Sequence, residues 1–74
     1  MMTPAKYFDY IKTKEVKEFL ETFGGNFSYS PEFAYTYEYG KKAYFLSEHN
    51  FEKDIKASIE KGENLLLNYN EVNW

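Results

Sequence analysis

Cysteine is absent from this chain of 74 residues, which excludes disulfide staples and thiolate metal sites together. The one histidine, His49, is too few for a zinc centre built from imidazoles. Arginine and glutamine are missing as well, so nine lysines carry all the basic charge. Residues 1–12, MMTPAKYFDYIK, have no apolar core of the kind a signal peptide needs, and no uncharged run reaches membrane-spanning length. Without cysteine and without a leader, the expected location is the cytoplasm, with no membrane partner.

The nucleophile–base arrangements of covalent catalysis are also missing. A serine nucleophile needs a base held by a third group, and no serine lies in such a context. Ten glutamates and two aspartates are spread along the chain instead of gathering as an acid–base pair. Glu15-Val16-Lys17 echoes the E-x-K of metal-dependent nucleases, yet it falls in a helical stretch with no aspartate-bearing strand before it. Glu48, His49, Glu52 and Asp54 cluster where a helix begins, and acids collect at helix N-termini for electrostatic reasons alone. Gly24-Gly25 is followed by no phosphate-loop lysine and reads as a helix terminator. The chain is therefore expected to be no enzyme, with no catalytic residue, no metal ligand and no cofactor.

Aromatic side chains are what the sequence has in excess: seven Phe, eight Tyr and one Trp, 22% of the residues. At roughly 150–250 Å² each they carry on the order of 3,000 Å² of surface. A chain this short buries only about 60% of the surface its unfolded form exposes, so several tyrosines should remain at the surface. The net charge is −3, with the acid excess in residues 32–74, where five lysines face eight acids. That balance disfavours nucleic acid as a partner.

The pattern predicts an α+β domain over 1–74 in the order α-β-β-α-β, an antiparallel hairpin or sheet with two helices. Thr3 and Pro4 start the first helix. From Pro4 to Phe23, Phe8, Ile11, Val16, Phe19, Leu20 and Phe23 share one half of a helical wheel, with Tyr7 and Tyr10 off the stripe. Thr13 could cap a separate helix after a kink near Lys12, but the spacing favours one continuous helix. Phe33, Tyr35, Tyr37 and Tyr39 alternate with Ala34, Thr36 and Glu38 as a strand does. Gly40-Lys41 then turns the chain into a partner strand, setting Tyr37 opposite Tyr44 and Tyr35 opposite Leu46. A short extra strand at Phe27–Tyr29 fits between the first helix and Ser30-Pro31. Asn50 caps a helix from Phe51 to Lys61 that buries Phe51, Ile55 and Ile59 and ends at Gly62. The apolar run from Leu65 to Tyr69 reads as a final strand.

The tyrosine ladder is the candidate site. Tyr35, Tyr37, Tyr39 and Tyr44, flanked by Lys41 and Lys42, form either the floor of the core or a contact surface. Aromatics dominate the energetics of protein interfaces. Parity leaves both assignments open: with the tyrosines inward, Ala34, Thr36, Glu38, Ala43, Phe45 and Ser47 face out. The expected function is a small protein-binding domain. Small size and AT-biased residue use suggest a phage or mobile-element accessory protein that inhibits a host defence protein. The alternative is a nucleic-acid-binding module that stacks bases on the tyrosine face. A homodimer is expected through the final strand as an open edge, with Leu66 and Tyr69 at the contact.

Overall fold

The computed structural model describes residues 3–47 and 49–72, and they form the expected mixed α+β domain. Helix α1 spans Pro4–Tyr10, helix α2 Lys14–Phe23 and helix α3 Phe51–Lys61. Between the second and third helices lie strands β1 (Asn26–Ser30), β2 (Ala34–Tyr39) and β3 (Lys42–Phe45), an antiparallel sheet in the order β1-β2-β3. A short 3-10 helix, Leu65–Asn68, begins the C-terminal tail.

The first helix is two helices. Thr3 accepts a capping bond from the Lys6 amide and starts α1 as predicted. Thr13 then takes an extended conformation (φ −72°, ψ 160°) and breaks the run. Its hydroxyl donates to the Tyr10 carbonyl at 2.7 Å, and its amide bonds the same carbonyl at 3.0 Å. A side chain able to satisfy a helix-end carbonyl competes with continuation of the helix. The break resets the wheel, so the sequence-based assignment of faces is corrected for α1. Tyr7 is fully buried, while Phe8 keeps 42% of its surface exposed. Past the break the predicted stripe holds: Val16 and Phe19 are buried, and Leu20 and Phe23 pack partly against them.

The hairpin follows its predicted register. Tyr37 pairs with Tyr44, and the Leu46 amide donates to the Tyr35 carbonyl at 3.0 Å. Gly40 has φ +62° and Lys41 does not share the positive sign, the pattern of a two-residue type II′ turn. The extra strand forms as β1, with Phe27 opposite Tyr37 and Tyr29 opposite Tyr35. Helix α3 has its predicted ends: Asn50 accepts from the Lys53 amide, and Gly62 closes the helix in the left-handed conformation.

The tail is the second correction. Leu65–Asn68 winds into a 3-10 turn because two side chains capture its amides. The Ser58 hydroxyl, fully buried on α3, accepts from the Leu65 amide at 3.0 Å. Asn64 accepts from the Leu66 amide at 3.1 Å. Past the turn the chain runs beside β3. The Phe45 amide donates to the Asn70 carbonyl at 2.9 Å, and the Val72 amide to the Ala43 carbonyl at 2.8 Å. A surface ion pair between Lys42 and Glu71, 3.2 Å apart, lies along the same seam.

The core lies between the helices and the tyrosine face. Tyr7 stacks on Tyr35 with ring centroids 4.4 Å apart, and Phe19 meets Tyr37 edge-on at 5.6 Å. The Tyr7 and Tyr37 hydroxyls are both satisfied here. Tyr7 donates to the Ser28 carbonyl at 2.9 Å, and the Thr36 carbonyl lies 3.3 Å from the same hydroxyl. Tyr37 donates to the Gly24 carbonyl at 2.6 Å and accepts from the Asn64 amide at 3.0 Å. The Tyr37 ring passes so close to Gly25 that a Cβ there would stand 2.5 Å from the hydroxyl oxygen.

Two predictions follow from this packing. Tyr7→Ala should destabilise the domain as much as Phe19→Ala, by about 3–5 kcal/mol each. Phe8→Ala, next to Tyr7 in sequence, should cost less than half of that in urea unfolding. Gly25→Ala should cost more than Gly24→Ala. Both residues hold positive φ, +90° and +84°, and so carry a strain of about 1–2 kcal/mol for alanine. Only at Gly25 must the buried Tyr37 also move. Equal melting temperatures for the two variants would contradict this.

Candidate functional site

The tyrosine ladder divides on folding. Tyr35, Tyr37 and Tyr44 keep 4%, 0% and 6% of their surface exposed, so they are floor and offer no contact surface. The same burial removes the face on which bases would stack. Tyr39, at the hairpin end of β2, is exposed, and Lys41 stands in the turn beside it. Lys42 points along β3 to its ion pair with Glu71.

The proposed self-association contact at the tail is also corrected. Leu66 is fully buried. Tyr69 is half-buried, with its ring stacked on His49 at 3.8 Å and its hydroxyl donating to Asp54. The segment forms no open edge, because the following residues 70–72 instead close the edge of β3.

Of the acidic cluster near α3, Glu48 lies outside the described residues. His49 and Asp54 both contact Tyr69, while Glu52 is exposed on the first turn of α3. Among the described residues no three His, Asp or Glu side chains gather as a metal-binding group. Glu15 accepts from the Tyr10 hydroxyl at 2.9 Å, and Val16, between it and Lys17, is a core residue. An open groove of about 850 Å³ runs between the end of α1 and the start of α3. Its floor is Tyr10, Tyr35 and Phe51, and its rim carries Lys6, Asp9, His49 and Glu52. Two carboxylates outnumber the one amine on this rim, so it leans slightly acidic and marks out no particular ligand.

A different surface stands out. Phe8 and Tyr29 are 42% and 40% exposed, and their rings meet edge-on at 5.9 Å. Phe8 comes from α1 and Tyr29 from β1, at one end of the sheet. Tyr29 continues inward to Tyr35 at 5.5 Å, so the exposed pair is the outer lip of the core. Beside it runs the outer edge of β1, which no described strand covers. Sequence reasoning put Phe8 on the buried stripe and gave Tyr29 only a place in a short strand. The available signal is charge: among the described strands NFSYS alone has no charged residue, whereas β2 carries Glu38 and β3 carries Lys42.

Five tyrosines titrate late. Burial pushes Tyr7, Tyr35 and Tyr37 above the ordinary phenol value near 10. Burial also raises Tyr10 and Tyr69, and their hydrogen bonds to the Glu15 and Asp54 carboxylates raise them further, since only the neutral phenol can donate. A folded pKa above the unfolded one gives stability that is complete below about pH 10 and is lost as pH rises through the folded values. Denaturant melts should therefore show no loss from these groups between neutrality and about pH 9, then a steep fall above about pH 10. Tyr7→Phe should make that fall shallower; an unchanged slope would contradict the assignment.

Comparison with protein-family models, with curated proteins and with solved structures finds no match to this chain.

Proposed function

We propose that this chain is a non-catalytic protein-binding domain whose contact surface is Phe8, Tyr29 and the outer edge of β1. The observation that carries this reading is the pairing of exposed aromatics with an uncovered strand edge. A strand edge presents a row of backbone donors and acceptors ready for another strand. Two large aromatic rings beside it supply the apolar anchor that such pairing needs for affinity. Most described aromatics are buried or half-buried; Phe8 and Tyr29 are exposed and in contact with each other, whereas Tyr39, also exposed, lies at the far hairpin end of β2.

The test is a double variant, Phe8→Ser with Tyr29→Ser, which removes the anchor and leaves the backbone of β1. Affinity purification of the intact chain from its source cells should recover a bound protein, itself included, that the double variant loses. The melting temperature of the variant, read in parallel, should fall by only a few degrees. Retention of the same bound protein by the folded variant would overturn the reading.

A further inference from the structure

We infer that the partner at this surface is a second copy of the chain, joined through antiparallel pairing of β1 with β1 about a two-fold axis at Ser28. The inference rests on the reading of this surface as a protein contact and names what covers it.

Three features of β1 select a copy of itself. First, Asn26–Ser30 carries no charge. Soluble proteins guard open edges with charged residues, lysine above all, and a two-fold doubles any charge that is present. Here there is none to double. Glu38, which accepts from the Ser28 hydroxyl at 3.1 Å, sits one strand further in. Three strand spacings would separate it from its counterpart, about 14 Å, beyond the screening length of about 8 Å at physiological salt.

Second, the register about Ser28 is self-complementary. It sets Phe27 opposite Tyr29 of the second copy, and Asn26 opposite Ser30. Phe27 and Tyr29 both point to the helix side, Phe27 against Phe19 and Tyr29 against Tyr35. Each copy thus gains two aromatic cross-strand pairs, the kind that stabilises sheets. Phe8 and Tyr29 of both copies are then covered at the seam.

Third, the edge has a fixed length. Gly24-Gly25 precedes β1 and Pro31 follows it, and proline has no amide to extend a ladder. A five-residue strand is what this edge accommodates, and its own copy matches that length. Closed two-fold pairing joins two three-stranded sheets into one of six strands, and it uses up both open edges so that no further copy adds.

The chain contains no cysteine, so a single introduced thiol reports one position. In the inferred register, Ser28 faces its own counterpart with Cα atoms about 4.5–5.5 Å apart, within the span of a disulfide. Mild oxidation of Ser28→Cys at micromolar concentration should give covalent dimer at least tenfold faster than Tyr39→Cys, exposed in the β2–β3 hairpin. Sedimentation equilibrium of the natural sequence should show a monomer–dimer equilibrium, and Phe8→Lys with Tyr29→Lys should shift it at least tenfold toward monomer with unchanged circular dichroism. A natural chain that stays monomeric up to millimolar concentration, or equal oxidation rates at the two cysteines, would overturn self-pairing. A photo-crosslinking amino acid at position 8, used in source cells, separates the failures. Monomer with cross-links to another protein overturns the second copy as occupant but leaves the contact surface standing. Monomer with no cross-link to any protein removes both.

Discussion

The Tyr37 hydroxyl is the point at which three separate parts of the chain are tied. It donates to the carbonyl of Gly24, where α2 ends, and accepts from Asn64, where the tail begins. Its ring lies on β2, fully buried between Phe19 and Phe27. A phenol buried among apolar neighbours loses several kcal/mol if unpaired, so each of the three segments is held where this oxygen needs it. Gly25 is glycine for the same reason: a Cβ would occupy the space of the ring. In a domain without disulfides, one hydroxyl with two partners does part of what a cross-link does elsewhere.

From that tie follows the asymmetry of the sheet. Asn64 holds the Tyr37 hydroxyl with its amide nitrogen and starts the 3-10 turn with its carbonyl oxygen. Ser58 anchors the same turn to α3, donating to the Asp54 carbonyl and accepting from Leu65. These bonds fix where the tail leaves α3, and residues 70–72 then lie along β3. One edge of the sheet is thereby closed by the chain itself. The other edge, β1, has no strand against it among the described residues.

Much of the scaffold was legible in the sequence, and the illegible parts share a cause. Helix α3, with Asn50 and Gly62 at its ends, and the hairpin, with Gly40 at its turn, are fixed by local rules that act within a few residues. The break at Thr13 and the turn at Leu65 are decided by side chains bonding to backbone, and such bonds leave no trace in hydrophobic periodicity. Val16 through Phe23 keep the phase of one wheel, and a single wheel drawn through the break misplaces α1. The run of three leucines fits a strand and a 3-10 turn equally well until Ser58 is seen beneath it. The tyrosine face was ambiguous by parity, because alternation fixes which residues share a face but not which face the helices cover. The candidate contact surface was missed for the same reasons. Phe8 depended on the phase of α1, and the open edge depended on the course of the tail.

The break at Thr13 also sets the proposed contact surface. Were the first helix continuous, Phe8 would join Phe19 and Phe23 on the buried stripe and Tyr7 would face solvent. The break turns α1 so that Tyr7 enters the core and reaches the Ser28 carbonyl, which holds β1 against the helix. Because adjacent helical residues differ by 100°, burying Tyr7 forces Phe8 outward, onto Tyr29. The contact that secures β1 on its inner side thus creates the aromatic pair on its outer side. Thr13→Ala should loosen both together, by removing the hydroxyl that satisfies the Tyr10 carbonyl at the break. The open edge and its aromatic anchor are therefore one structural feature, set by a threonine five residues after Phe8.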